Sequence, residues 1–308
     1  MITKQIDVVA LGTCYVDTNV DNFPFRRDAL IGEEILGENY EIVPGGSAVN
    51  FCRLGQSLGL QTAFIGMAGL DVNGDTLERL LAKQGVEAAL IRRPELLTNI
   101  GFNLTNAEGE HLMFVAGTAN AALDPQSVLP KLTEVLPQAR MLYMGGCLKL
   151  KAFIDAFATM SEQAKKDDVQ LVVDHGRVPE SVSTEMLAAV KQLVLSADYY
   201  FPSREEFCAM WGVTDIAEGL KQLQTIAPKL TVVVKDAENG AFYLEKGVLQ
   251  HVVAQKVDTV VNATGAGDSF NAGVIAAVLA GRSLVDAIAY GCRVAAAKIT
   301  AQVIPTLD

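Results

Sequence analysis

Between Asp124 and Lys235 apolar runs of strand length trade places with segments whose apolar residues recur at helical spacing. The expected order is helix 125–137, strand 140–144, helix 149–166, strand 169–174, helix 183–194, strand 197–201, helices 203–211 and 216–226, then strand 230–235. A strand that is followed by a helix and another strand folds back as a parallel pair, so this rhythm predicts an α/β fold with a doubly wound, mainly parallel sheet flanked by helices. The apolar run Ile6 to Leu11, ended by Gly12, adds a first buried strand. An apolar helix at about 284–300 covers the sheet.

Two regions break the rhythm. After the first strand come Asp17, Asn19, Asp21 and Asn22, polar residues in a place where an open α/β sheet gathers its ligand and where an ordinary Asx-rich loop is equally at home. An irregular excursion over residues 23–43 ends in a strand near Tyr40 to Val43. Further on, Asn99 to Thr105 and His111 to Val115 flank the turn Asn106 to Glu110, which is a hairpin signal. Together these predict a small β lid, from about 13–43 and 98–117, on a single domain spanning 1–308. Thr62 to Gly66 reads as a strand, Gly66 to Asp75 as a tight loop, and Thr76 to Gln84 as a helix. Gly240 to Leu244 and Val248 to Val253 form a second hairpin.

Half of the residues are hydrophobic and 20% are charged, a globular composition. A net charge of −11, with no gathering of Lys and Arg, argues against a nucleic-acid surface. Cys14, Cys52, Cys147, Cys208 and Cys292 lack C-x-x-C spacing and read as reduced core thiols. No apolar run approaches the ~18–20 residues of a membrane span, and the start of the sequence does not read as a signal peptide, so a cytoplasmic protein is expected.

The chemistry concentrates in Asn262-Ala263-Thr264-Gly265-Ala266-Gly267-Asp268-Ser269-Phe270-Asn271, where a loop enters a helix. Free N–H groups and the helix dipole make such an end suit a phosphate, and glycines let the anion approach. Asp268 would repel that anion unless it works on something. The job that fits is general base for a hydroxyl attacking a nucleotide's terminal phosphate; the alternative is a helix N-cap. Earlier, Pro44-Gly45-Gly46-Ser47-Ala48-Val49-Asn50 opens another helix, and Asn50 brings donors and an acceptor suited to a hydroxyl-rich molecule.

Gly45-Gly46 with Asn50, then Gly265-Ala266-Gly267-Asp268, each opening a helix, resemble the ribokinase-like (PfkB) carbohydrate kinases along essentially the whole chain. Gly66-Met67-Ala68-Gly69-Leu70-Asp71, Gly74-Asp75, Gly117 to Leu123 and Asp17 support the likeness. The resemblance implies ATP and Mg²⁺ as cofactors, a small hydroxylated substrate held by Asp17, Gly45, Gly46 and Asn50, an anion hole at Gly265, Ala266 and Gly267, and Asp268 as base. It places the nucleotide near Ser203, Glu206, Lys235, Ala237 and Gly240, with Glu206 on the Mg²⁺ water network, and suggests a homodimer through the lid.

The departures lie on the nucleotide side. Ser203 replaces the usual Asn, Lys235-Asp236-Ala237 replaces Thr-x-Gly, and Asn262 replaces the Asp often tied to a monovalent cation. Lys235 is read equally as a phosphate contact or a solvated strand end. Arg177, after Asp174 and His175, could face an acidic or phosphorylated substrate or pair with a neighbouring acid. A nucleoside kinase, using Phe23, Phe25, Phe102 or Phe114 around a base, and a ligand-binding member with impaired catalysis stay open. A nicotinamide dehydrogenase is disfavoured, because Gly12 to Asp17 lacks G-x-G-x-x-G.

Overall fold

The computed structural model describes residues 4–24, 32, 34, 37, 39–106 and 111–307. Most of the 23–43 excursion, the tip of the Asn106 to Glu110 turn, and Phe25 lie outside the described residues. In chain order, β1 (Ile6–Leu11), β2 (Tyr15–Asp21) and β3 (Asn39–Gly45) lead into α1 (Ser47–Ser57), β4 (Thr62–Gly69), α2 (Val72–Lys83) and β5 (Glu87–Arg93). Strands β6 (Ile100–Thr105) and β7 (His111–Ala116) follow, then α3 (Ala119–Ala122), α4 (Pro125–Val135) and β8 (Ala139–Gly145). The alternation continues through α5 (Ala156–Lys166), β9 (Gln170–Asp174), α6 (Thr184–Leu195), β10 (Tyr199–Tyr200), α7 (Arg204–Trp211), α8 (Ile216–Ile226) and β11 (Thr231–Lys235). The hairpin β12 (Ala241–Glu245) and β13 (Val248–Val252) precedes α9 (Ala266–Leu279) and α10 (Leu284–Ile299).

Nine strands form the main sheet in the order β13-β12-β11-β10-β9-β8-β1-β4-β5. All neighbours from β11 to β5 pair in parallel, whereas β12 pairs antiparallel with both β11 and β13. Successive strand residues point to opposite faces, so each strand feeds two cores. Val9, Leu11, Ile65, Leu142 and Val173 pack with α4 to α8 on one face. Val8, Ala10, Phe64, Tyr143 and Val172 pack with α1, α2, α9 and α10 on the other. The doubly wound expectation holds.

A second sheet, ordered β3-β2-β6-β7, forms the lid. Here the sequence reading needs correction. Asp17, Asn19 and Asp21 lie on strand β2, not in a loop, because one lid strand pairs β3 antiparallel and β6 in parallel and needs no continuous apolar run. The edge strand β5 was not anticipated, since Glu87 to Arg93 ends in charges and is only half-buried. The expected loop Gly66 to Asp75 shrinks to two residues: β4 runs on to Gly69, and α2 starts at Val72 with Asp71 accepting from the Gly74 amide. Two 3₁₀ turns, Cys147–Lys149 and Lys151–Phe153, replace the start of helix 149–166.

The five cysteines carry no disulfide. No helix among the described residues is long and apolar enough to cross a membrane.

Candidate active site

Helix α1 begins against the carboxyl ends of β1 and β8. Gly46, at φ 106°, adopts a backbone that favours glycine, and a Cβ there would lie 2.3 Å from the Thr13 carbonyl oxygen. Its neighbour Gly45 clears space for Asp17. A Cβ on Gly45 would sit 1.8 Å from Asp17 Oδ2, and one on Gly101 would sit 2.2 Å from Oδ1, so the carboxyl group fills what two glycines on flanking strands leave open. Burial raises the Asp17 pKa against the pull of Asn103, Arg53 and Lys149. Along α1, Phe51 stacks on Tyr143 of β8 with ring centroids 3.9 Å apart, which fixes the helix over the sheet.

Helix α9 begins nearby. Gly265 caps it in the left-handed region at φ 78° with no side-chain cap bond. The Gly267 and Asp268 amides have no backbone acceptor among the described residues, whereas the Ala266 amide already donates to Ala263 O at 3.1 Å. The free donors of the helix end are therefore Gly267 and Asp268 more than Ala266.

Asp268 is not the helix cap. Its carboxylate turns back toward α1, where Ser47 Oγ donates to Oδ1 at 2.6 Å and Asn50 Nδ2 donates to Oδ2 at 3.0 Å. The two glycine-led helix ends, more than two hundred residues apart in sequence, thus share one carboxylate. Burial pushes its pKa up to about 6 and the Asp174 charge adds to the rise, while Ser47, Asn50 and Lys235 oppose it. Desolvation of the charged form thus sets the direction of the shift.

Behind this carboxylate lies a buried network. Lys235 Nζ donates to Asp174 Oδ2 at 3.0 Å and to Asn271 Oδ1 at 3.2 Å; Asn271 Nδ2 donates to Asp174 Oδ2 at 2.7 Å and reaches the Tyr143 hydroxyl at 3.1 Å. A Cβ on Gly267 would lie 3.4 Å from the ammonium, so this cation stands beside the first turn of α9. Lys235 is not a solvated strand end: its side chain is 14% exposed and ion-paired.

On the expected nucleotide side, Ser203 and Lys235 form an isolated parallel bridge. Ser203 and Glu206 are tied up in a capping box: the Ser203 amide donates to Glu206 Oε2 at 2.7 Å, and the Glu206 amide to Ser203 Oγ at 3.2 Å. Burial and the Asp174 charge raise the Glu206 pKa. Arg204 holds Asp236 with two bonds of 2.7 and 3.0 Å. Ala237 is exposed at φ 45°, and Gly240 is buried where a Cβ would meet Val252 O at 2.0 Å. Asn262 closes a turn by accepting from the Thr264 amide at 2.8 Å.

A cleft of about 620 Å³ runs past the site, lined among others by Asp17, Asn50, Arg53, Asn262, Gly265 and Lys298. Among the described residues, Arg177, Phe23, Phe102 and Phe114 do not line it. His175 is buried, its Nδ1 facing Gly176 O, and burial lowers its pKa to about 4.

Sequence reasoning passed over Ser47, Asp174 and Asn271. Asn271 lies three residues after Asp268 on the same helix, and Asp174 and Lys235 each end a parallel strand at the sheet's carboxyl edge. Both are signals that periodicity and the ligand rule for open sheets supply.

Two glycine-led helix ends thus converge on one carboxylate at the carboxyl edge of a doubly wound sheet. The chain belongs to the pfkB family of carbohydrate kinases, whose profile matches residues 5–303. It is 26% identical to a ribokinase of Haemophilus influenzae over 87% of this chain and 85% of that protein. It is 24% identical to a 5-dehydro-2-deoxygluconokinase of Halalkalibacterium halodurans over 94% and 87%. Among solved structures, a PfkB protein from a Polaromonas species superposes with a TM-score of 0.81 at 21% identity, covering 98% of this chain and 97% of that one. The adenosine kinase of Sinorhizobium meliloti gives 0.77 at 21% identity, covering 98% and 97%.

Proposed function

We propose that this carbohydrate kinase transfers the terminal phosphoryl group of ATP to a hydroxyl of a small sugar or sugar-like compound. The Asp268 carboxylate takes the hydroxyl proton as the new O–P bond forms, and the P–O bond to ADP breaks. The observation that carries the reading is the placement of Asp268 in the first turn of α9, bonded to Ser47 and Asn50 of α1. A pKa of about 6 leaves it ionised at neutral pH yet more basic than an exposed carboxylate.

Asp17, Gly45, Gly46 and Asn50 would hold the acceptor. Gly265 and Gly267 would admit the phosphate to the helix end, where amides stabilise the charge that builds. Ser203, Ala237 and Gly240 would border the nucleotide. Among the described residues no three His, Cys, Asp or Glu side chains cluster to hold a metal. That donor set fits a Mg²⁺ ion carried mainly by phosphate oxygens and water, with Glu206 receiving a bound water; when present, the ion neutralises phosphate charge. Asn262 offers a neutral oxygen where a carboxylate would draw a monovalent cation. Closing the lid would exclude water as a competing acceptor. Its exposed Tyr40, Ile42, Phe102, Met113, Phe114 and Val115 suit the expected homodimer.

The test is ADP release with Mg²⁺-ATP across aldoses, ketoses, sugar acids and nucleosides. Turnover with a sugar or sugar acid supports the reading. Turnover with nucleosides alone replaces it with a nucleoside kinase, and ligand-induced thermal stabilisation with no ADP for any acceptor replaces it with a binding protein.

A further inference from the structure

The face of α1 that carries Ser47 and Asn50 continues, one turn on, to Arg53, about 4.5 Å further along the helix axis. Arg53 is fixed in place: its Nε donates to Gln84 Oε1 and its Nη1 to Pro44 O at 2.7 Å. That leaves Nη2 without a hydrogen bond among the described residues. Opposite it in the same cleft stands Lys298, near the end of α10, whose ammonium has neither a hydrogen bond nor an ion pair among the described residues. The loop before α9 is tied to this helix end, since the Val261 and Asn262 amides both donate to Ile299 O, at 2.7 and 3.2 Å.

Burial lowers the pKa of Lys298, and the nearby Arg53 charge lowers it further; Glu41 and Asp21 oppose the shift. Glu41 and Asp17 are the acidic residues lining the cleft, and neither is within ion-pair distance of Arg53 or Lys298 among the described residues. Two partly desolvated cations therefore face one cavity, close enough to repel each other; Glu41 and Asp17 attract Arg53, and Glu41 and Asp21 attract Lys298, but none of these acids is in ion-pair contact with either cation among the described residues. The Arg53 Nη2 and the Lys298 ammonium, two donors with no bonded acceptor among the described residues, are thus placed on one cavity where a single anion can accept from both.

We infer that the acceptor is anionic, and that Arg53 and Lys298 bind its carboxylate or phosphate at the end of the cleft away from Asp268. The inference rests on the kinase reading and sharpens it. Asp17 and Asn50 meet the hydroxyls between the two ends, so a hydroxylated chain with an anionic group at one end and the phosphorylated hydroxyl toward the other matches the order of side chains. Arg53 presents a pre-positioned guanidinium, and Lys298 a point charge that adapts to either anion.

ADP release should be measured with glucose, gluconate, glucose 6-phosphate and a set of six-carbon keto-acids, for the wild type, Arg53→Gln and Lys298→Gln. An acid or a phosphate should exceed its neutral parent in kcat/KM by ~10–100-fold, the worth of one or two charge-assisted hydrogen bonds. Preference for the carboxylate over the phosphate, or the reverse, identifies the anion. Either variant should lower the anionic-to-neutral ratio by roughly 10-fold or more, and Lys298→Gln keeps the test sound if Arg53→Gln disturbs the Gln84 and Pro44 contacts. Preference for neutral sugars, or a ratio unmoved in both variants, overturns the inference while leaving the kinase intact. If no acceptor yields ADP, the kinase reading fails, and calorimetric titration of gluconate against glucose still decides the anion site. Salt-sensitive binding of gluconate alone supports it, and equal or absent binding of both overturns it.

Discussion

Asp174, buried, and Asp268, half-buried, are both carboxylates at the carboxyl edge of one sheet, and their environments drive them in opposite directions. Asp174 faces the Lys235 ammonium at 3.0 Å, with Asn271 and the Gly176 amide completing its bonds. Burial pushes its pKa up, but Lys235, helped by His175 and Asn271, holds it below the usual carboxylate range. Asp268 has only the neutral donors Ser47 and Asn50 in hydrogen-bond contact among the described residues, so desolvation, with the Asp174 charge adding to it, raises it to about 6. What separates a fixed anion from a proton acceptor here is the position of one cation. Such divergence between neighbouring acids is how a site divides its roles.

The largest test removes the acceptor. Asp268→Asn keeps the shape and should lower turnover ~10²–10⁴-fold while nucleotide and acceptor still bind. Retained turnover, measured by steady-state ADP release, would erase the distinction between the two carboxylates. Next comes the cation. Lys235→Met leaves Asp174 buried and unpaired, which should cost roughly 3–5 kcal/mol in urea unfolding. A cost below about 1 kcal/mol, the scale of an exposed pair, would mean that Lys235 holds no buried charge.

A third test uses stability against pH. The folded-state pKa of Asp268 lies near 6 and its ordinary value is 3.8, so its favourable contribution is fully present below pH 4 and lost as pH rises through 6. Above that window the buried charge costs up to ~3 kcal/mol, the two-unit shift converted at 1.36 kcal/mol per unit. The Asp268→Asn variant should therefore be more stable than the wild type at pH 8, with the gap closing toward pH 4. A gap that is constant with pH in urea titrations would contradict the raised pKa.

The sheet was legible because strands buried on both faces read as unbroken apolar runs, as in Val8 to Leu11 and Val232 to Val234. The lid was legible only in outline. Its strand β2 carries Asp17, Asn19 and Asp21 among Val16 and Val20, and a polar strand in a small sheet looks like a loop. β5 escaped for a related reason, since an edge strand ending in Arg92 and Arg93 has no core pattern to announce it. At the site, Asp268, Asn50 and the glycines were readable because their order along the chain is distinctive. The Lys235–Asp174 pair, 61 residues apart, was not. It depends on β9, β10 and β11 lying side by side in register, which only the assembled sheet provides.

The smallest effect expected is also the most direct probe of what tunes Asp268. Ser47 Oγ donates to Oδ1 at 2.6 Å and favours the ionised form, opposing burial and the Asp174 charge. Ser47→Ala deletes that bond without touching Asn50 or the Lys235 network. A hydrogen bond of this kind has a net worth of ~0.5–1.5 kcal/mol, equivalent to roughly half a pKa unit to one unit. Because the base must be ionised to accept the hydroxyl proton, kcat/KM should fall on the acid side of an apparent pKa near 6 in the wild type. In Ser47→Ala that midpoint should move upward toward neutrality, while the plateau at higher pH stays within a few fold. A midpoint that moves down, or stays while the plateau collapses, would mean that Ser47 acts on the acceptor and not on the base. The opposition between a cation-held carboxylate and a donor-held one would then lose its kinetic half.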